Sequence, residues 1–145
     1  QWCHTHDIAY TRYCDDMTFS ADHSLYHVRV KVSKHLHKMG FVLNEAKTHF
    51  MTKAGRQCVT GLTVNEKISI PSDYKRALRQ ETYYALKFGL SQAIIRGNRT
   101  AFLLNGQPDE AGYLAHLLGK IQYVLQIEPE NQWFRSAAAK LHFTS

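Results

Sequence analysis

Cysteine is scarce in this chain of 145 residues: Cys3, Cys14 and Cys58 are odd in number and stand far apart. A disulfide framework is therefore not expected, and a reducing compartment suits the chain better. No apolar run approaches the roughly 18 residues that a membrane span requires, so no membrane is expected as a partner. The nine histidines come without a Cys-x-x-Cys or His-Glu-x-x-His pattern. Cys3, His4 and His6 lie close together, and His23 and His27 have the i,i+4 spacing that can hold zinc. Nothing completes such a site, so most histidines are expected at the surface. Internal repeats and low-complexity segments are also lacking. So is an initiator Met: Gln1-Trp2-Cys3-His4 matches no targeting segment and reads as the interior of a longer polypeptide.

Acidic residues are outnumbered, 12 against 18 Lys and Arg, for a net charge of +6. The excess is even. Residues 1–70 and residues 71–145 each carry 9 basic and 6 acidic side chains, so neither half is a basic tail. A folded basic domain favours a polyanionic partner. With 44% hydrophobic and 21% charged residues, the composition is that of an ordinary globular chain and not of a disordered one.

The fold class expected is α+β, a small α/β lobe at residues 1–70 followed by a helical lobe at 71–145. Residues 8–13 and 17–20 are β-prone and flank Cys14, Asp15 and Asp16, which predicts a hairpin. Leu25, Val28, Val32, Leu36 and Met39 recur at helical spacing, with Ser20 or Asp22 as cap and Gly40 as stop. Phe41-Val42-Leu43 reads as a strand and residues 44–47 as a turn. Leu62 to Val64 and Lys67 to Ile70 read as two further strands. Pro71 is the expected boundary. Beyond it, helices are expected from Ser72 or Asp73 to Phe88, near 91–96, over 110–127 and over 130–141, with residues 97–108 as a loop. The stripe of Tyr113, Leu114, Leu117, Leu118, Ile121 and Leu125 is expected in the core.

The sharpest motif is Tyr13-Cys14-Asp15-Asp16. Two adjacent carboxylates repel each other, and a cation relieves that repulsion. Hard oxygen ligands favour Mg²⁺, or Mn²⁺, over Zn²⁺. Two such ions near a nucleoside triphosphate permit in-line displacement at phosphorus. The plainer alternative is an acidic turn, since Asp is common in turns.

The whole stretch from Tyr10 to Ser20 resembles the active-site hairpin of bacterial reverse transcriptases. The resemblance is greatest to the retron branch, where Ala usually stands in place of Cys14 and Leu in place of Met17. Further similarities follow in order. Gly40 to Asn44, with Lys47-Thr48, is similar to the next palm motif of that family. Arg56 to Asn65 resembles the segment centred on Val-Thr-Gly. Residues 76–81 and 119–123 are similar to its thumb helices. The resemblance implies a partial polymerase palm, consisting of the active-site hairpin, a helix and small antiparallel strands, followed by an α-helical thumb. It also implies fingers and a third metal-binding aspartate upstream. No residue here supplies that aspartate in sequence order, and Asp7 does not match its motif.

The resemblance assigns roles. Asp15 is the stronger metal ligand and Asp16 assists. Tyr13 and Cys14 lie near the primer end and the incoming nucleotide, although Cys14 reads equally well as a buried small hydrophobe. Lys47 is a cation for the triphosphate or pyrophosphate, or else a solvated turn lysine. Gln57, Val59, Thr60 and Gly61 form a primer grip, with Val59-Thr60-Gly61 also implied in recognition of a structured RNA. At 100° per residue, Arg76, Gln80, Tyr83 and Lys87 share one helix face flanked by Arg79, while Tyr74, Leu78, Ala85 and Phe88 lie opposite. That basic face is expected on a nucleic-acid backbone, its alternative being plain solvation. His116, Lys120 and Tyr123 form a second such face or simply surface.

The function implied is RNA-directed DNA synthesis of retron type on a structured template and primer RNA, with dNTPs as substrates and two Mg²⁺ ions as cofactors. A bacterial cytoplasmic location, antiphage defence and a defence effector protein as a further partner come with that resemblance. The fingers and first half of the palm are implied as partners, and without them the 145 residues are expected to be inactive. Two alternatives stand beside it: a non-catalytic RNA-binding module, and a reverse transcriptase of group II intron, diversity-generating or abortive-infection type. Retention of both aspartates favours catalysis, and Val59-Thr60-Gly61 favours the retron branch.

Overall fold

Aromatic and β-branched residues on either side of a tight turn give the chain its longest ladder. In the computed structural model, which describes residues 1–143, β1 (Ala9–Tyr13) pairs antiparallel with β2 (Asp16–Ser20). Tyr10 sits opposite Phe19, and their rings stack with centroids 4.9 Å apart. Such cross-strand aromatic pairs hold a two-stranded ribbon in register.

The chain divides into two compact units, Gln1–Gly55 and Arg56–Ser145. The first holds the hairpin and α1 (Tyr26–Lys38). The helix stops where glycine permits it. Gly40 has φ +82°, and the Phe41 N–H donates back to the Leu36 carbonyl at 3.0 Å. Neither Ser20 nor Asp22 caps its start, where Leu25 stands without a side-chain bond. Asp22 instead pairs with Lys53 at 2.6 Å. The expected strand Phe41-Val42-Leu43 does not form, and Phe41 and Val42 are exposed. A strand needs a partner edge, and none reaches these residues among those described. Asn44 accepts a bond from the Lys47 N–H and starts a short 3-10 helix, Glu45–Lys47. Glu45 also takes an ion pair from Arg29. Among the described residues of this unit only Ile8 and Val28 are buried.

The second unit begins with β3 (Cys58–Val59) and β4 (Leu62–Thr63), an antiparallel pair. The expected strand over 67–70 reduces to one bridge, Thr63 to Ser69. Then come α2 (Ser72–Phe88), α3 (Leu90–Arg96), β5 (Leu103–Leu104), β6 (Gln107–Pro108), α4 (Glu110–Ile127) and α5 (Gln132–His142). Leu78 and Ala85 of α2, Ile94 of α3, Leu117 and Ile121 of α4, and Phe134 and Leu141 of α5 meet in one core. Leu114, Leu118 and Leu125 pack against it, half-buried. No helix among the described residues is long and apolar enough to cross a membrane.

Two expectations are corrected here. The units part at Gly55, not at Pro71, because Ile70 lies in the helical core with Leu62 packed beside it. Pro71 marks a helix start rather than a domain edge. Neither Ser72 nor Asp73 caps that helix, and Asp73 faces Arg56 at 3.5 Å. The loop expected at 97–108 contains a third hairpin, β5–β6, turned by Asn105 and Gly106 at φ +50° and +79°. Asn-Gly with both residues at positive φ is the favoured type I′ turn.

Glu128, just after α4, fastens the start of the unit to its end. Its carboxylate accepts from Lys75 Nζ (2.6 Å), the Ile70 N–H (2.9 Å) and Asn131 Nδ2 (2.9 Å). Burial pushes its pKa up, but these donors together outweigh it and hold the group below its ordinary 4.5. A carboxyl depressed in the folded state stabilises above its unfolded pKa, and that stability fades as pH falls through the folded value. Glu128→Gln is therefore expected to cost about 2 kcal/mol at neutral pH. Thermal melts of both proteins from pH 7 downward should converge below pH 4.5; a gap independent of pH would refute this.

Candidate functional site

The acidic motif occupies the tip of β1–β2. Tyr13 pairs with Asp16, so Cys14 and Asp15 alone form the turn. Only Cys14 of the two has positive φ, +50°, the pattern of a type II′ turn. That position normally favours glycine, so a cysteine there carries backbone strain, held by five residue pairs of ladder. Cys14 is exposed, which sets aside the buried-hydrophobe reading. Asp15 and Asp16 are exposed at the tip, and Tyr13 beside them is 70% exposed. The two carboxylates are hard oxygen donors of the kind Mg²⁺ takes. Among the described residues, no group of three or more His, Cys, Asp or Glu side chains gathers that could hold a metal ion. Lys47 is exposed and makes no ion pair with either aspartate among the described residues.

In the second unit, Gln57 ties its backbone to the far arm of β3–β4. Its N–H donates to Asn65 Oδ1 and its carbonyl accepts from the Val64 N–H, both at 2.9 Å. Val59 pairs with Leu62, so Thr60 and Gly61 form the turn at φ +47° and +84°. This is the same double-positive turn as at Asn105-Gly106, but with a β-branched residue first. Positive φ is costly for such a residue. Thr60 is exposed, so nothing in the unit's packing requires it. Thr60→Asn is expected to raise stability by about 1 kcal/mol by relieving that strain. Differential scanning calorimetry would read this as a higher Tm, and a lower Tm would show that Thr60 is supported by its surroundings.

The polar face of α2 is where the periodicity places it. Arg76, Arg79, Gln80, Tyr83 and Lys87 are all exposed, while Leu78 and Ala85 are buried and Tyr74 half-buried. Arg79 lies over the rings of Trp133 and Phe134, 5.6 and 5.5 Å from their centroids. Lys87 sits 5.2 Å from the Tyr83 ring, and a hydrogen bond to Tyr83 raises its pKa. Phe88, expected on the apolar face, is 38% exposed. Glu81 is the sole carboxylate between residues 74 and 108. It is buried and turned inward. Lys120 Nζ (2.9 Å), Arg99 (3.2 Å) and the Tyr113 hydroxyl (3.3 Å) converge on it. Burial and the Glu81 charge push Tyr113 up to about 12. Beyond Asp73 in its first turn, the exposed charges of α2 and those of α3 are consequently all basic.

Lys120 differs from the exposed cations of α2. Its ammonium is engaged by Glu81 inside the unit rather than offered alongside α2. Its neighbours on α4, His116 and Tyr123, are exposed. Burial, then the Lys120 charge, lowers the pKa of His116, and Tyr123 meets Tyr74 edge-on at 6.0 Å. Tyr84, Phe88 and Arg96 are exposed members of the basic aromatic surface that periodicity alone did not single out. Their sequence signal was an i,i+4 aromatic pair followed by an arginine one short helix later.

A two-carboxylate hairpin tip, an Asn-anchored turn ending in Lys47, and a Val-Thr-Gly hairpin running into a basic helix are arranged in reverse-transcriptase order. Sequence comparison agrees, and the relationship is to retron-type reverse transcriptases. The chain is 30% identical over 123 residues to the retron Mx65 reverse transcriptase of Myxococcus xanthus. That match takes in 83% of this chain and 24% of the relative, so the chain spans about a quarter of the length of the curated protein it matches. No family model and no solved structure matches it.

Proposed function

We propose that this chain is part of a retron-type RNA-directed DNA polymerase and carries two of its metal ligands and part of its nucleic-acid surface. The observation that supports this most is the hairpin tip, where a five-pair ladder holds Asp15 and Asp16 side by side and exposed. Catalytic carboxylates gain from such a rigid support. In the reaction, a primer hydroxyl attacks the α-phosphorus of a dNTP, a P–O bond forms and pyrophosphate leaves. Magnesium bound at oxygen donors supplies a lowered pKa for the attacking hydroxyl and charge relief on the leaving pyrophosphate. Asp15 and Asp16 would hold that cation. Tyr13 and Cys14 border the primer end. Lys47 neutralises phosphate. Gln57 to Gly61 grip the primer or its RNA, and the α2 face follows the duplex backbone.

The remaining ligand, the fingers and the first half of the palm are partners from outside these residues. The surface of the first unit supports this. With Ile8 and Val28 as its buried residues, it leaves Phe41, Val42, Phe50 and Met51 exposed. Large apolar side chains left exposed in this number, beside so few buried ones, fit a unit that packs against further chain. A structured RNA, dNTPs, bacterial cytoplasm, antiphage defence and an effector protein belong to the same proposal.

The test is to purify the polymerase that carries this segment from its host and sequence the nucleic acid bound to it. A branched RNA–DNA product supports the retron reading. Unbranched cDNA points to another reverse-transcriptase class, and RNA alone to a binding module. For the surface itself, Arg76→Ala with Lys87→Ala is expected to weaken duplex binding and to reduce the salt slope by about 2. An unchanged slope would remove the α2 face from the contact.

A further inference from the structure

Beyond the backbone-binding cations, the C-terminal end of α2 carries an unusual set of rings. Tyr83, Tyr84 and Phe88 are 50%, 44% and 38% exposed. Tyr84 and Phe88, one turn apart, lie nearly parallel at 25° with centroids 5.8 Å apart. Arg96, arriving from α3 across the Gly89 break, places its guanidinium carbon 5.2 Å from the Phe88 ring. Lys87 covers the same ring at 5.3 Å. The Arg96 contact joins two helices and is not a by-product of one helix's periodicity: the break at Gly89 (φ +82°) is what brings Arg96 back over Phe88.

Rings left in water at the end of a helix need a reason, because a core lies directly beneath them. Leu78, Ala85, Leu90 and Ile94 fill that core from the same two helices. No carboxylate faces the rings from α2 or α3, since Glu81 is buried among its own partners. Flat apolar faces flanked by cations suit one chemistry above others: nucleobases that stack, with phosphates beside them. A paired duplex presents only its backbone to such a surface, whereas an unpaired strand presents the faces of its bases.

We propose that Tyr84, Phe88 and Arg96 form a stacking platform for unpaired bases of single-stranded nucleic acid. The platform adjoins the face formed by Arg76, Gln80 and Lys87 and differs from it in ligand. It rests on the reading of α2 as a nucleic-acid surface and adds the class of strand bound at its end. In use, the Arg96 guanidinium remains over Phe88 while its outer N–H groups meet a phosphate of the same strand.

The experiment is fluorescence anisotropy on the 145-residue chain, using labelled oligoadenylate of about 15 nucleotides as RNA and as DNA, and an RNA duplex of about the same length. Tyr84→Leu with Phe88→Leu keeps bulk and helix propensity while removing both π-faces. It is expected to lower single-strand affinity about tenfold or more and to leave duplex affinity within about twofold. Tyr84→Trp with Phe88→Trp should retain single-strand binding. Arg96→Gln, at an exposed site, should weaken it several-fold without lowering the Tm. If the leucine pair lowers the Tm, the tryptophan pair and Arg96→Gln decide. Equal loss on duplex and single strand, or unchanged single-strand affinity in the leucine and Arg96 variants, overturns the platform. Unchanged binding would leave the rings as a protein-docking surface. The RNA and DNA arms distinguish a template-strand ligand from a product-strand one. A wild-type chain that binds duplex but no single strand defeats this proposal alone. One that binds neither defeats the nucleic-acid reading of α2 as well.

Discussion

Asp15→Asn, made in the polymerase that carries this segment, is expected to reduce DNA synthesis by at least about 1,000-fold, the loss of several kcal/mol of transition-state stabilisation. The substitution removes a charge and leaves the shape. Asp15 is exposed at the second position of a two-residue turn, and among the described residues its side chain makes no bond that holds the hairpin. The ladder and the Tyr10–Phe19 stack should persist. Melting temperature and RNA affinity are therefore expected to stay at wild-type values while single-nucleotide incorporation in Mg²⁺ disappears. Incorporation within tenfold of wild type would mean that Asp15 is not a metal ligand. A matching fall in RNA affinity would mean that the tip binds template rather than cation.

The largest effect on stability is expected from Phe134→Ala. Phe134 is fully buried at the start of α5. It meets Trp133 edge-on at 4.9 Å and lies 5.5 Å from the Arg79 guanidinium. Truncating a buried phenylalanine costs about 3–5 kcal/mol. For a unit of this size that lowers the Tm by more than about 10 °C. Trp133→Ala, at a side chain 39% exposed, should cost less than half as much. Calorimetry on both would check the order, and equal losses would show that α5 is held by its outer ring rather than by its inner one.

The parts of the fold that were legible in the sequence share one property: their signal is local. The spacing of Leu78 and Ala85, or of Leu117 and Ile121, requires only one helix and one neighbour. Gly40 and Gly89 stop helices by their own backbone freedom. The β1–β2 hairpin is likewise contained in twelve residues from Ala9 to Ser20. What was missed depends on partners distant in sequence. Phe41-Val42-Leu43 has strand composition but no edge to join among the described residues. Glu81 sits on a helix face that reads as ordinary, and it is buried only because Tyr113 and Lys120 arrive from 32 and 39 residues away. Lys120 reads as part of an open α4 face for the same reason, since its spacing gives no hint of a carboxylate beneath it. The β5–β6 hairpin was hidden differently: two-residue strands are too short to show alternation, so Asn105-Gly106 had to carry the signal alone.

Because the chain divides at Gly55 and not at Pro71, the Thr60-Gly61 turn travels with the helices. Its neighbours Leu62 and Ile70 are bound into their core. The turn and the α2 face are thus inherited as one block. Exchange of residues 56–145 between related polymerases would carry both elements together, and with them any preference for a particular RNA. A seam at Pro71 would separate the turn from the core that seats it. A lineage acquiring a new RNA could do so by replacing this one block while the Asp15-Asp16 hairpin of the other unit stays as it is.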